Sequence, residues 1–357
     1  MMVANLIAII MITAIHYNTK SHVVTNGAVL GWNYLTQEFL INGLARSAVP
    51  YFALISGFFL FMQYPEHKSY GKLLHDRFYT LLVPYILAAT IIFSSITLAK
   101  LLNGNTSFLN MRTAFYGIFI TPLSSQFWFL RDLCLLVVIS PLLLPKSRLL
   151  QYTLGLCLFL PWLMNWQITP TIGDWYVINI ETLFFFYLGG QLSCRGELLN
   201  CIANSSTKLT ALTALLLFFI LITRINIDPT IDLWYTNDNK YIFLSLILYK
   251  TTIVVGIICL IQIASLFHKN VRLIHLSGLA FFVFLFHFVP LSFLISRLSD
   301  MIVAKEFAFY ISFPAATVTV FAIAHLMAKN APRLFGILCG GRTPQKVLNR
   351  TRSWHTG

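Results

Sequence analysis

The chain has 357 residues, of which 57% are hydrophobic and only 10% are charged. Soluble domains carry about 25% charged residues, so a chain this apolar cannot cover its surface with polar groups in water, and an ordinary soluble protein is excluded. The net charge of +13 is spread over short loops and one tail rather than gathered on one face, which predicts a membrane protein with no nucleic-acid partner.

Apolar runs of membrane length recur along the whole chain and predict ten transmembrane helices. In chain order, the predicted spans are 2–18, 46–63, 78–99, 127–144, 149–164, 175–192, 209–223, 241–266, 278–296 and 307–328. The predicted fold class is therefore all-α, a polytopic transmembrane helical bundle. The first apolar run has no basic residues before it and no small-residue cleavage site after it, so we expect no cleavable signal peptide.

The loop charges predict how the bundle is oriented. The connections after the second, fourth, sixth and eighth spans, together with the C-terminal tail, hold most of the 25 Lys and Arg residues. The positive-inside rule places those loops and both termini in the cytoplasm. We expect a transmembrane domain over 1–328 and a basic cytoplasmic tail over 329–357, which has no acidic residue and is suited to lie on anionic lipid.

Several familiar catalytic motifs are missing from the sequence. There is no Walker loop, dinucleotide glycine fingerprint, HExxH helix or GxSxG elbow. The six cysteines show neither a CxxC pair nor a metal-ligand spacing, so we predict no metal site and no permanently bound cofactor. The candidate chemistry lies instead in polar residues within apolar helices, which are costly to bury.

The first candidate is His16, at the end of the first span. An imidazole titrates near neutrality and can take a proton from a hydroxyl or carry a transferred group. A structural alternative stays open, in which His16 is an interfacial side chain bonded to a backbone carbonyl.

The second candidate is Arg46, at the start of the second span, followed by Pro50, Ser56 and Gly57. Pro50 removes a helical hydrogen bond, and the small residues allow another helix to come close. A kinked, closely packed helix with an arginine at its start is suited to binding an anion or a substrate. Plain helix packing is the alternative interpretation.

The third candidate is the segment of Trp128, Arg131 and Asp132, in the fourth span. An Arg-Asp dipeptide inside a membrane is costly unless it is paired or faces water. Adjacent helical positions point about 100° apart, so we expect these two residues to have different partners. Glu181 requires a proton or a partner such as Arg131, and the sequence does not fix that pairing.

Two further sites are weaker. Lys72 and Arg77 belong to a cytoplasmic basic run, which is sufficient as an orientation signal but is also suited to hold the phosphates of a cytosolic ligand. His287 ends a Phe-rich stretch and is equally consistent with a capped helix end. Lys250 and His325 also lie in or near predicted spans.

These clusters, in this order, resemble acyltransferase family 3, the bacterial integral-membrane O-acyltransferases, over nearly the whole chain. The matching segments are His16, 46–58, 77–85, 128–132, 184–190 and 281–287. One position departs from the pattern: the family usually has an arginine eleven positions before the histidine, and this chain has Asn5. Either the start is misassigned, or the handling of the donor differs in this chain.

The resemblance implies transfer of an acyl group, usually acetyl, from acyl-CoA to a hydroxyl of a cell-envelope carbohydrate. It implies a catalytic role for His16, with Arg46 and Arg131 lining a passage for the acyl arm or stabilising the oxyanion. A transporter or flippase for a sugar or lipid-linked intermediate is the competing class, disfavoured by the lack of an internal repeat. A membrane sensor or scaffold is a third.

Overall fold

The computed structural model describes residues 1–25, 31–63, 69–102, 104, 111–120, 124–144, 147–172, 175–194, 197–231, 233 and 242–344. The α-helices in chain order are α1 (Met2–His16), α2 (Lys20–Thr25), α3 (Trp32–Gln37), α4 (Ala48–Met62), α5 (Tyr70–Arg77), α6 (Val83–Leu102), α7 (Met111–Phe115), α8 (Trp128–Leu143), α9 (Arg148–Leu163), α10 (Ile180–Ser193), α11 (Glu197–Ala203), α12 (Thr207–Ile227), α13 (Phe243–Leu266), α14 (Val271–Ser277), α15 (Ala280–Phe286), α16 (Leu291–Ile302), α17 (Phe309–Asn330) and α18 (Pro332–Leu338). Short π-helices (Glu38–Leu44, Phe78–Leu82, Tyr116–Ile120) and 3-10 turns (Ala45–Ser47, Ser125–Phe127, Lys305–Phe307) extend several of them. Strands β1 (Thr171–Ile172) and β2 (Trp175–Tyr176) pair antiparallel, with Thr171 opposite Tyr176.

Helices occupy all ten predicted positions, which confirms the all-α polytopic class. Within the described residues, seven helical stretches are long and apolar enough to cross a membrane: Met2–Val24, Trp32–Met62, Tyr70–Leu102, Ser125–Leu143, Thr207–Ile227, Phe243–Leu266 and Phe309–Asn330. An eighth candidate is the pair α15 and α16, which meet at a 73° bend within the predicted ninth span.

The fifth and sixth predicted spans are shorter than membrane length. Helix α9 has 16 residues and α10 has 14, so at a rise of about 1.5 Å per residue neither reaches the roughly 30 Å of a hydrocarbon core. The predicted start of the sixth span at 175 was wrong, because the chain there forms strand β2. Helix α10 begins only at Ile180, where Asn179 caps it by accepting a hydrogen bond from the Glu181 backbone N–H at 2.9 Å.

The second span also begins earlier than predicted, at Trp32 rather than 46. Its irregularity lies before Pro50, which is the third residue of α4. The change of winding falls instead on the π-helix Glu38–Leu44 and the 3-10 turn Ala45–Ser47. This turn carries Arg46 into the core, where only 4% of the residue is exposed.

Helices α4 and α10 pack backbone to backbone. A Cβ at Gly57 would overlap the carbonyl oxygen of Phe186, and one at Gly189 would overlap that of Leu54. Close approach of this kind requires glycine at both contact points. Ser56, beside Gly57, is half-buried. Because Arg46 precedes α4 and Glu181 opens α10, this contact fixes the distance between two charged residues of the candidate site.

The described part of the C-terminal segment packs on the bundle. Phe335, Leu338 and Cys339 belong to the main hydrophobic core. The Arg342 guanidinium donates to the carbonyl of Thr80 at 2.8 Å and stacks on the ring of Phe281 at 4.3 Å. Residues 345–357 of the predicted tail lie outside the described residues, so their contact with lipid stays a prediction.

Candidate active site

His16 meets His287 and Ser125 where α1, α15 and the turn before α8 converge. The His16 Nδ1 lies 3.2 Å from the Ser125 hydroxyl, and its ring centre lies 5.0 Å from that of His287. The ring also stacks on Phe288 at 4.9 Å. His16 is half-buried. Its Nδ1 contacts a side-chain hydroxyl rather than a backbone carbonyl, which argues against the alternative of an interfacial side chain bonded to a carbonyl.

The tautomer of His287 follows from its partners. Its Nδ1 lies 2.9 Å from the carbonyl oxygen of Phe284 and 3.1 Å from that of Val283. Because a carbonyl can only accept, Nδ1 carries the hydrogen and the Nε2 of a neutral ring carries the lone pair. Among the described residues this buried Nε2 has no hydrogen-bond partner. The backbone of His287 is tied to the end of α1, since the Tyr17 hydroxyl donates to its carbonyl at 3.0 Å.

A second group of charges centres on Glu181. Arg46 Nη1 lies 2.5 Å from Glu181 Oε1, and the indole N–H of Trp162 donates to Oε2 at 3.0 Å. The Nε of Arg46 donates to the hydroxyl of Tyr249 at 2.9 Å. Glu181 therefore pairs with Arg46 rather than with the suggested Arg131. A buried ion pair needs such additional hydrogen bonds to offset the loss of water.

A small cavity of about 30 Å³, room for one or two water molecules, lies beside this ion pair. Its lining residues are Arg46, Trp128, Asn165, Gln167, Tyr176, Asn179, Ile180, Glu181, Leu233 and Lys250. Trp128 comes one turn after Ser125, so the start of α8 connects the histidine pair to the cavity. Arg46, Trp128 and Glu181, selected from the sequence, thus share one cavity.

Arg131 and Asp132 pair with each other, and the expectation that they have different partners was wrong in that respect. Arg131 Nη2 lies 3.1 Å from Asp132 Oδ1. Each also has a second role. Arg131 donates to the carbonyls of Ile120 and Tyr176, and Asp132 accepts the backbone N–H of Asn179 at 2.8 Å. The pair therefore holds the segment that starts α10 and does not line the cavity.

Lys72 and Arg77 lie at the start of the helical stretch Tyr70–Leu102, away from the cavity lining. Lys72 is exposed, and Arg77 donates to the side chain of Gln63 at 3.2 Å. The structure does not bring either residue to His16. Their predicted contact with donor phosphates stays a prediction.

A buried network around Glu38 was missed from the sequence. Glu38 accepts from Lys20 at 2.8 Å and Asn42 at 2.9 Å, and Arg224 Nη2 lies 2.8 Å from its other oxygen. Tyr249 connects this network to the cavity, because the guanidinium carbons of Arg224 and Arg46 lie 5.2 Å and 5.7 Å from its ring centre. The sequence feature that could have revealed this network is Arg224, in the last turn of α12, because a charged residue in an apolar helix is costly without a partner.

Asn5, at the position of the usual family arginine, is part of the packing of α1 on α4. Its side-chain oxygen accepts a hydrogen bond at 2.9 Å from the hydroxyl of Tyr51, a residue with no exposed surface. Asn5 is thus held by a neutral hydrogen bond in the core and lines neither the histidine pair nor the cavity.

The fold and this site define a multi-pass helical membrane protein with histidines and buried charges at one end of its bundle. Residues 4–329 match the family model described as an acyltransferase domain. The chain belongs to acyltransferase family 3, as the ordered motifs predicted.

One curated relative gives a more particular comparison. The chain is 26% identical over 368 residues to the succinoglycan biosynthesis protein ExoH of Rhizobium meliloti (strain 1021), covering 96% of this chain and 93% of the relative. No solved structure matches the chain significantly.

Proposed function

We propose that the protein is an O-acyltransferase that moves an acyl group, acetyl in the simplest case, from acyl-CoA to a hydroxyl of an exported or cell-envelope carbohydrate. Membership of acyltransferase family 3 supports the reaction class. Similarity to a protein of succinoglycan biosynthesis supports a polysaccharide as the acceptor. We place the protein in the bacterial inner membrane on its membership of this family, with both termini cytoplasmic on the loop charges.

The observation that carries this proposal is the contact of His16 with Ser125. A general base must be held in one tautomer with its other nitrogen available. If His16 Nδ1–H donates to the Ser125 hydroxyl, 3.2 Å away, then Nε2 carries the lone pair. The hydrogen bond and the stacking of Phe288 on the ring then fix the direction of that lone pair.

The proposed transfer needs one base and one leaving thiol. The acceptor hydroxyl oxygen attacks the thioester carbonyl carbon while His16 Nε2 takes the hydroxyl proton. A carbon–oxygen bond forms, the carbon–sulfur bond breaks, and the coenzyme A thiolate leaves with the proton held by His16. Transient acylation of His16 is the second route, in which the same nitrogen attacks first.

The acyl-CoA donor would approach from the end of the bundle opposite to His16. Acyl-CoA is cytosolic and polyanionic, and the exposed Lys72 lies at the predicted cytoplasmic end with Arg77. His16 ends the first span at the other side, so the proposal requires the acyl arm to pass through the protein. Arg46 is the charged residue of the predicted passage that lines the cavity.

A reconstituted assay tests the proposal. The full-length protein is placed in lipid vesicles with radiolabelled acetyl-CoA inside and an oligosaccharide outside. Label on the oligosaccharide that requires the protein supports an acyltransferase. Oligosaccharide that crosses the membrane unmodified, with no label transferred, supports the competing carrier and contradicts the proposal.

A further inference from the structure

Trp32 lies on the surface of the protein and is stacked on two other rings. The centre of its indole lies 5.7 Å from the ring centre of Phe307 and 6.0 Å from that of Tyr310, with interplanar angles of 26° and 30°. Phe307 and Tyr310 are close in sequence, where α17 begins, so both rings lie on the same side of the indole. Trp32 is nevertheless 65% exposed, because the opposite face of its indole is open.

Hydrogen bonds hold this aromatic platform, formed by Trp32, Phe307 and Tyr310, in one arrangement. The Tyr310 hydroxyl donates to the side-chain oxygen of Asn33 at 3.0 Å. The amide of Asn33 donates in turn to the backbone carbonyl of Glu306 at 2.8 Å, and Asn33 itself is buried. A surface that is already ordered loses little conformational entropy when a ligand binds, so the platform is suited to recognition.

The platform is joined to the end of α1 that carries His16. Thr19, which follows His16 closely in the chain, donates its hydroxyl to the same Glu306 carbonyl at 2.9 Å. The backbone N–H of Thr19 donates at 2.9 Å to the side-chain oxygen of Gln37, the last residue of the helix that Trp32 begins. The platform therefore lies at the His16 end of the bundle, which the loop charges place on the outer side.

The surroundings of the platform indicate a sugar rather than lipid. The face of an indole carries negative partial charge and attracts the weakly positive C–H groups of a sugar ring. Helix α2 packs against the turn Lys305–Phe307, and the two elements expose Ser21 and Lys305, whose hydroxyl and ammonium form hydrogen bonds with sugar hydroxyls. A tryptophan that only anchors a helix at the membrane interface needs neither stacked rings nor a hydrogen-bonded support.

We propose that the aromatic platform binds a sugar unit of the exported carbohydrate acceptor, at some distance along its chain from the sugar that is acylated. The open face of Trp32 packs on the sugar ring, and Ser21 and Lys305 bind its hydroxyls. The platform is thereby a subsite that holds the acceptor without contact with the reacting atoms. This inference rests on the proposed function in so far as it takes the exported carbohydrate as the occupant.

Carbohydrate binding by the full-length protein in detergent micelles tests the platform. The probes are short oligosaccharides released by partial hydrolysis from the exported polysaccharide of a host strain that lacks this protein, and equilibrium dialysis gives their Kd. Trp32→Ala should weaken binding about tenfold or more, because truncation of a tryptophan in a contact surface is among the costliest changes. Trp32→Phe keeps an aromatic face and should retain most of the affinity.

Trp166→Ala is the matched control. Trp166 is 60% exposed and follows α9 at the predicted outer end, and within the described part of the chain no ring stacks on it. This variant should bind the oligosaccharides like the wild type. A second measurement needs no truncation: bound oligosaccharide should shield the wild type from quenching of its tryptophan fluorescence by acrylamide, and the shielding should be lost in Trp32→Phe.

Two results would overturn the inference: no binding of these oligosaccharides by the wild type, or equal binding by the wild type and Trp32→Ala. The proposed function fails separately. A wild type that binds oligosaccharide through Trp32 but transfers no acyl group contradicts the transferase alone. Acyl transfer with the same acceptor KM in the wild type and in Trp32→Ala contradicts only the role of the platform.

Discussion

The guanidinium of Arg46 and the carboxylate of Glu181 are 135 positions apart in the sequence and 2.5 Å apart in the structure. Both are buried, with 4% and 7% of the residues exposed. Arg46 lies just before α4 and Glu181 in the first turn of α10, so their contact depends on the close packing of these two helices. The pair forms one side of the cavity next to Lys250.

Removing both members of this pair should cost clearly less than the two single removals added together. Arg46→Met leaves a buried carboxylate without its closest partner, and we expect a loss of about 3–5 kcal/mol in the free energy of unfolding. The double variant Arg46→Met/Glu181→Met should lose clearly less than the sum of the two single losses. Reversible unfolding in mixed micelles measures all four proteins, and strictly additive losses would contradict the coupling.

The contact between α4 and α10 should not tolerate a methyl group. In Gly189→Ala the new Cβ overlaps the carbonyl oxygen of Leu54, a backbone atom that cannot turn aside. The helices must separate, so we expect reduced thermal stability together with reduced acyl transfer. Gly71→Ala is the matched control, because an added Cβ there meets no atom within 4 Å. Equal stability of the two variants would show that the helices are not in backbone contact.

The helical class and the family could be predicted from the sequence alone because both depend on local patterns of residues. Apolar runs located all ten helical regions, and the ordered motifs named the family before any contact was known. The predicted helix limits were wrong where tertiary contacts override hydropathy. The segment that begins at 175 has apolar neighbours, yet it pairs as a strand with Thr171–Ile172. The second span, predicted from hydropathy to begin at 46, is extended toward the N-terminus by the π-helix and 3-10 turn before α4.

The site was only partly predictable, for a different reason. Arg46, Trp128 and Glu181 could be singled out because polar residues in apolar helices are costly. Which of them pair depends on helix packing over more than a hundred positions, and the sequence does not specify it. Ser125 and Asn165 gave no signal, since small polar residues near helix ends are common, and Glu38 lay outside the predicted spans.

Loss of the Ser125 hydroxyl should slow the reaction without weakening substrate binding. Ser125→Ala removes a hydrogen bond worth about 1 kcal/mol, and the His16 ring loses a group that orients it. We expect kcat to fall about fivefold with KM unchanged, and Ser125→Thr to retain most of the rate. Steady-state kinetics with labelled acyl-CoA measure both constants. A raised KM with normal kcat would mean that Ser125 contacts substrate instead.

Lys72 and Arg77, at the predicted cytoplasmic end of the bundle, should affect the binding of the acyl-CoA donor alone. In Lys72→Ala/Arg77→Ala, two cations suited to phosphate are lost, so KM for acyl-CoA should rise about tenfold or more. The acceptor KM should not change. Lys208→Ala, which removes an exposed lysine at the start of α12, serves as the control. If the double variant and the control have the same donor KM, the phosphates bind elsewhere.

The most direct test of the account is the rate of acyl transfer by His16→Ala. The purified variant is reconstituted with labelled acetyl-CoA and an oligosaccharide acceptor, beside wild type and His22→Ala, which removes an exposed histidine of α2. General-base catalysis contributes about 10²–10⁴-fold, so we expect His16→Ala to lose at least a hundredfold in rate while its thermal unfolding and its binding of oligosaccharide stay near wild type. Transfer at the wild-type rate by a correctly folded His16→Ala protein would contradict the assignment of His16 as the catalytic base.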